Sequence, residues 1–198
     1  MWTEPEIGDL CRQRPLALPV IDRLGGDDDV AVLAELSADE ATLAAPWRDR
    51  GLPALLDHIV ESYHRAFDRE LQTVEQALST IWPPAGSPRH AAWARLRHQL
   101  AELRTDMELH MTKEERVLFP WLRGHAATAA APIRAMQLEH TDTITLLQAI
   151  HAGVRRGLAP LPRKPHETAV ATAVEYLERR LCEHLHLETN ELFRRALE

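Results

Sequence analysis

The sequence predicts an all-α protein: an antiparallel, up-down four-helix bundle with a small N-terminal helical extension. Three observations predict it. Four long stretches carry apolar residues at the three-then-four spacing of a core-facing helix. Short connections rich in Pro and Gly separate them, which favours antiparallel neighbours. No segment shows the period-two alternation of a strand.

Residues 1 to about 50 are less regular. Pro15, Pro19, Gly25, Gly26 and the run Asp27-Asp28-Asp29 divide them into short pieces. One short helix is expected around Val30 to Leu36, and Asp39 and Glu40 then lead to Pro46. This part, residues 1–50, reads as a small N-terminal unit, and residues 51–198 as the bundle.

The first bundle helix carries Leu52, Leu56, Val60, His64, Phe67, Leu71, Val74 and Leu78 as one stripe. It ends before Pro83-Pro84, since proline cannot continue a helix. Gly86, Ser87 and Pro88 form a turn, and the second helix runs from about residue 88 to 122. Its stripe is Leu96, Leu100, Leu103, Met107, His110, Glu114, Leu118 and Trp121. Pro120 is expected to kink its last turn. After Gly124 the third helix, about residues 130–155, turns Ile133, Met136, His140, Ile144, Leu147 and Val154 inward. Gly157, Pro160, Pro162 and Pro165 make the last linker. The fourth helix, about residues 166–196, carries Val170, Val174, Leu177, Leu181, His184, Glu188 and Leu192.

The chain has 198 residues, 45% of them hydrophobic, enough for one substantial domain with an appendage. The net charge of −7 leaves no basic stripe for phosphates, which argues against a nucleic-acid partner. No apolar run reaches the length of a membrane span, so no membrane partner is expected. The acidic start MWTEPEIGDL lacks the pattern of a signal peptide. Cys11 and Cys182 stand far apart and form no CxxC pair, which points to a reducing compartment. The expected location is the cytoplasm.

One motif occurs twice: His110-x-x-x-Glu114-x-x-x-Leu118-Phe119 and His184-x-x-x-Glu188-x-x-x-Leu192-Phe193. A His and a Glu four apart share one helix face. Here that face is apolar and contains no Lys or Arg. A carboxylate in a core costs several kcal/mol unless it is paired or binds a metal. His64 and His140 add one imidazole from each remaining helix. The 46 residues from His64 to His110 and the 44 from His140 to His184 make the two halves repeats of each other. Six candidate ligands follow: His64, His110, Glu114, His140, His184 and Glu188. Such a set suits two metal ions bridged by carboxylates, iron or manganese better than zinc. The competing reading makes these ordinary His–Glu pairs on helix surfaces, but duplicate placement in a core stripe counts against it. A zinc-protease reading fails because the second His of HExxH is missing.

Other residues are weighed against this set. His58 lies on a more polar face than His64 and reads as surface or as support behind a ligand. Asp68, one turn after His64, is expected as a partner of a ligand or an auxiliary one. His90, His98, His125, His151, His166 and His186 are expected in solvent. Glu115, Glu139 and Glu183 adjoin ligands in sequence but are expected to face elsewhere. Phe119, Trp121 and Phe193 are expected as core filler.

The segments HMTKEERVLFPWL from His110 and HLHLETNELFRRAL from His184, with Tyr63-His64 and Glu139-His140, resemble hemerythrin-like cation-binding (HHE) domains. The resemblance covers about residues 51–198 and is strongest to the repair-of-iron-centres group of di-iron proteins. It implies two non-haem iron ions, with oxo or hydroxo and carboxylate bridges, held by the same six residues. Oxygen-carrying hemerythrin has HxxxH on its third helix and an Asp five residues after the last-helix His. Here Ile144 follows His140 and Glu188 follows His184, so the set is short by one His. Open coordination of that kind favours reaction with small molecules over reversible carriage.

The stretch RPLALPVIDRLGG resembles the start of the group's small N-terminal domain. That domain carries adjacent cysteines after a Gly pair, whereas here Gly25-Gly26 is followed by three aspartates. The resemblance implies a role in nitrosative and oxidative stress, repairing iron–sulfur clusters by iron donation. Damaged iron–sulfur proteins would be the clients, and nitric oxide, oxygen or peroxide the small ligands. Reduction of nitric oxide or peroxide at the site is an alternative, as is oxygen or iron sensing or storage.

Overall fold

The computed structural model describes residues 3–24, 29–81, 83–125, 128–158 and 165–198. Gly25, Gly26, Asp27, Asp28, Pro160 and Pro162 lie outside the described residues. Among the described residues every regular element is helical.

Four bundle helices form the body. The first comprises α3 (Leu52–Ile59), a widened π turn (Val60–His64) and α4 (Arg65–Ser79). The second comprises α5 (Pro88–Lys113), a π turn (Glu114–Leu118) and α6 (Phe119–His125). The third is α7 (Ala130–Leu158), three residues longer than expected. The fourth comprises α8 (Pro165–His186), a π turn (Leu187–Phe193) and α9 (Arg194–Leu197). Pro165 therefore opens the fourth helix instead of belonging to the linker, since a proline costs nothing at the first helical position. The turn before α5 is made by Gly86, whose φ of 78° suits glycine. Ser87 then caps the helix, its Oγ accepting from the His90 amide at 3.1 Å. Bundle helices adjacent in sequence pack together, and the first closes the ring against the fourth.

The stripes named from sequence face inward almost throughout. Leu96, Leu100, Leu103 and Met107 meet Val170, Val174, Leu177 and Leu181 in one core cluster. Leu118, Phe119, Leu192 and Phe193 belong to a second, at the other end. Trp121 is the exception. It is 38% exposed, and its Nε1 donates to Thr128 at 2.9 Å. The π turn just before it explains the change. One extra residue in the turn advances the helix face, so the stripe that holds through Leu118 no longer includes position 121. The same turn precedes Pro120, whose missing amide and bulky ring are poorly suited to a regular helix.

The N-terminal part is more regular than expected. It contains α1 (Glu4–Gln13), a 3-10 segment (Pro15–Arg23), α2 (Asp29–Ala44) and a short 3-10 turn (Ala45–Trp47). The helix expected over Val30 to Leu36 runs on to Ala44. Its Val32 and Leu36 are buried, and Leu36 joins Cys11, Leu16, Ala17 and Leu18 in the cluster formed by the bundle. Polar clasps reinforce this docking. Arg195 of the fourth bundle helix donates to the Trp47 carbonyl at 3.0 Å, while Arg14 and Glu40 brace the N-terminal part internally at 2.7 Å. His151, expected in solvent, is largely covered because it bridges Glu178 at 3.0 Å and Asp22 at 3.1 Å. Cys11 and Cys182 are buried free thiols.

Candidate metal centre

The six residues singled out from sequence meet near the widened turns. His64 ends one π turn, Glu114 opens the second and Glu188 lies in the third. A π turn rotates the following residues relative to those before it, and such turns concentrate at functional sites. All six side chains are buried: His64 6% exposed, His110 2%, His140 5%, His184 1%, and Glu114 and Glu188 0%.

Two compact donor groups result. One contains His64, Glu114, His184 and Glu188, the other His110, Glu114, His140 and Glu188. Both carboxylates belong to both groups. The imidazoles pair across the bundle, with His64 Nε2 3.1 Å from His184 Nε2 and His110 Nε2 3.2 Å from His140 Nε2. Glu114 Oε2 lies 3.5 Å from His64 Nε2 and 3.4 Å from His110 Nε2. Glu188 Oε1 is 2.8 Å from His184 Nε2, and its Oε2 is 3.2 Å from His140 Nε2.

The outer ring nitrogens are held from behind. His64 Nδ1 lies 3.0 Å from Glu115, which Arg65 clasps. His110 Nδ1 lies 3.0 Å from Glu139, which Lys113 holds at 2.7 Å. His140 Nδ1 is 2.9 Å from Thr189 Oγ1. An ionised carboxylate can only accept, so the ring proton of His64 and of His110 sits on Nδ1. That leaves an Nε2 lone pair facing inward. Phe119 stacks on His64, Phe193 on His140 and Tyr63 on His184, at centroid distances of 5.6, 5.5 and 5.6 Å.

The electrostatics suit a cation. Burial lowers the pKa of His140 and takes that of His184 to about 4, so both rings are neutral donors near neutral pH. Burial, then the nearby charge of Glu188, pushes Glu114 well above the usual carboxylate range. Glu139 is pulled down to about 2, first by its bond with His110, so it stays an acceptor. Neither oxygen of Glu114 has a hydrogen-bond partner, and Glu188 Oε2 lacks one of good geometry. Buried carboxylate oxygens normally have partners, and here a metal is the partner the donor set fits.

Several expectations need correction. Glu115 and Glu139, expected to face elsewhere, bond to His64 and His110, candidate ligands on neighbouring helices. The reach is across the bundle, so no spacing along the chain announces it. Glu183 pairs with Arg180 at 3.0 Å, as expected for a residue outside the donor set. Asp68 is exposed and pairs with Arg104 at 2.7 Å, so it is neither a ligand nor the support of one. His186 is buried, not solvated: the N-terminal part covers that face, bringing Glu40 within 3.8 Å, while Asn190 bonds its Nδ1 at 3.0 Å. His58 is half-buried, near the site but outside it, against Trp47 and Tyr63. His98 and His166 are exposed as expected.

The family described as the hemerythrin HHE cation binding domain matches residues 55–196, a span that includes all six donors. The chain belongs to that family. This hemerythrin-domain chain is also similar to proteins called iron-sulfur cluster repair protein YtfE from Citrobacter koseri, Escherichia coli and Escherichia fergusonii. Each is 31% identical over 169 residues, covering 84% of this chain and 75% of the relative. No helix among the described residues is long and apolar enough to cross a membrane.

Proposed function

We propose that this protein holds two non-haem iron ions among its four bundle helices and donates iron to rebuild damaged iron–sulfur clusters. One observation carries the reading: two fully buried carboxylates with unpartnered oxygens, set between two pairs of inward-facing imidazoles. His64 and His184 would hold one ion and His110 and His140 the other. Glu114 and Glu188 would be shared, with an oxo or hydroxo bridge. Iron in this position supplies one-electron chemistry and affinity for small ligands.

The chain's own residues prepare the site. Glu115 and Glu139 hold the ring protons of His64 and His110 on the outer nitrogens, which fixes those tautomers, and Thr189 orients His140. Phe119 and Phe193 cover two of the rings and keep water out. Six protein donors for two ions leave coordination positions free, and a set one imidazole short of oxygen-carrying hemerythrin's holds ferrous iron less firmly. The name borne by the relatives supports iron–sulfur repair as the outlet. The reading places the protein in the cytoplasm, with damaged iron–sulfur proteins as clients.

The test mixes iron-loaded protein with a nitric-oxide-damaged iron–sulfur enzyme and a thiol. Recovery above that given by an equal amount of free ferrous iron is expected. Recovery no better than with free iron refutes donation. A second reading, turnover of nitric oxide or peroxide, is favoured by a cavity of about 210 Å³ lined by His110, Glu139, Lys113 and Leu109. Steady nitric oxide consumption with a supplied electron donor, without enzyme recovery, would select it.

A further inference from the structure

A line of aromatic rings runs from the N-terminal part into the candidate centre. Trp47 lies 4.4 Å from His58 between ring centroids, His58 lies 5.7 Å from Tyr63, and Tyr63 lies 5.6 Å from His184. The last step is stacked, at 15° between planes. At its outer end the exposed Arg50 sits over the Trp47 ring at 5.3 Å. At its inner end His184 presents Nε2 to the carboxylates.

Tyr63 is unlike Phe119 and Phe193, which fill the equivalent places on His64 and His140. Ring stacking alone does not require its hydroxyl. That hydroxyl lies beside the Glu183 carboxylate and the Arg180 guanidinium. Arg180 lies 4.2 Å over the ring and is held by Glu70 and Glu183 at 3.0 Å each. A cation above the face disfavours positive charge on the ring. An electron taken from Tyr63 must therefore leave together with the phenolic proton, and the Glu183 carboxylate is placed to receive it.

We propose that Tyr63 and Trp47 form a one-electron relay that carries oxidising equivalents away from the iron site when it meets peroxide. The proposal rests on the reading of the six donors as an iron site. Reducing one hydrogen peroxide to two waters takes two electrons and two protons. An iron pair held by the six donors would, when half-reduced, supply one electron. Tyr63 supplies the other and passes its proton to Glu183, and solvent completes the protons. Trp47 then returns an electron to the tyrosyl ring, Glu183 returns the proton, and the Trp47 indole releases its own proton. Trp47 is 6% exposed, so a thiol at the surface restores it through that narrow edge, giving one electron and one proton to the tryptophanyl radical, and two thiyl radicals then join as a disulfide. His58 is the contact between the two redox-active rings and is not itself oxidised.

The experiment uses the full chain, loaded with iron, brought to the half-reduced state without oxygen and mixed with hydrogen peroxide. Freeze-quenched paramagnetic resonance reads the tyrosyl radical, peptide mass spectrometry reads oxidation at Trp47, and iron content is measured in every sample. A tyrosyl signal is expected in the wild type. It is lost in Tyr63→Phe with iron content unchanged, and it lives longer in Trp47→Phe. Trp47 oxidation in the wild type is expected to fall in Tyr63→Phe. An undiminished tyrosyl signal in Tyr63→Phe, or none in iron-loaded wild type, overturns the relay and leaves the iron site standing. Failure of the wild type to bind iron overturns both.

Discussion

Replacing Glu114 by Leu separates a residue kept for a ligand from one kept for stability. Glu114 is wholly buried, and neither carboxyl oxygen has a hydrogen-bond partner. An unsatisfied buried polar group costs about 1–3 kcal/mol. Leucine is close in volume, sits among apolar neighbours such as Leu118 and removes that cost. Replacing buried charged groups by well-packed apolar ones is often neutral or stabilising. The metal-free Glu114→Leu protein should therefore be more stable than metal-free wild type by about 2 kcal/mol. For a chain of this length that is a rise of about 4–8 °C in Tm. Saturating ferrous iron should reverse the order, since a ligand bound only by the native state stabilises it by mass action. Calorimetry of chelator-treated and iron-reconstituted samples, with iron content in parallel, makes the comparison. A metal-free Glu114→Leu protein less stable than metal-free wild type, or one that still binds two irons, would refute the reasoning.

Glu139→Gln should keep His110 in place but weaken its orientation and basicity, lowering iron affinity by about 10–100-fold in a competition titration with a chelator. His184→Ala should empty the site. His186→Ala should leave iron content unchanged and instead loosen the N-terminal part, seen as faster amide exchange over residues 29–44. Above pH 6.5, where the buried His140 and His184 are already neutral, stability should fall as pH rises. Burial alone would lower the His151 value, but the bond and charge of Glu178, with Glu175, raise it above 6.5. Burial raises Glu178 above 4.5, with His151 only partly offsetting it. Both groups hold protons to higher pH in the folded state. The His151 contribution is thus complete below pH 6.5 and lost as pH rises through its folded value. The buried Glu178 charge works in the same direction above pH 4.5. Denaturant unfolding above pH 6.5 should show the decline, and His151→Gln should flatten it there.

The helical repeat of apolar residues was enough to call the bundle, because burial of one face in four long segments leaves few other packings. The duplicated His-x-x-x-Glu could be read as a core feature for the same reason. A helix face is a local property, set by a rise and rotation per residue that the sequence carries in its spacing. Asp68 and Trp121 mark the limit of that reading. Position 121 lies beyond a widened turn that shifts the face, and position 68 has Arg104 within reach from the second helix.

What only the tertiary structure decided is which of the six side chains stand together and what lies behind them. The repeat pairs the first helix with the second and the third with the fourth, but the imidazoles pair first with fourth and second with third. Glu115, Glu139 and Thr189 reach imidazoles on other helices, and Leu16, Leu18 and Leu36 of the N-terminal part join the bundle's core cluster while Arg195 holds the Trp47 carbonyl. Such contacts depend on how helices are arranged around one another. Spacing along a single helix fixes the direction of a side chain from its own axis, and not the neighbour it meets.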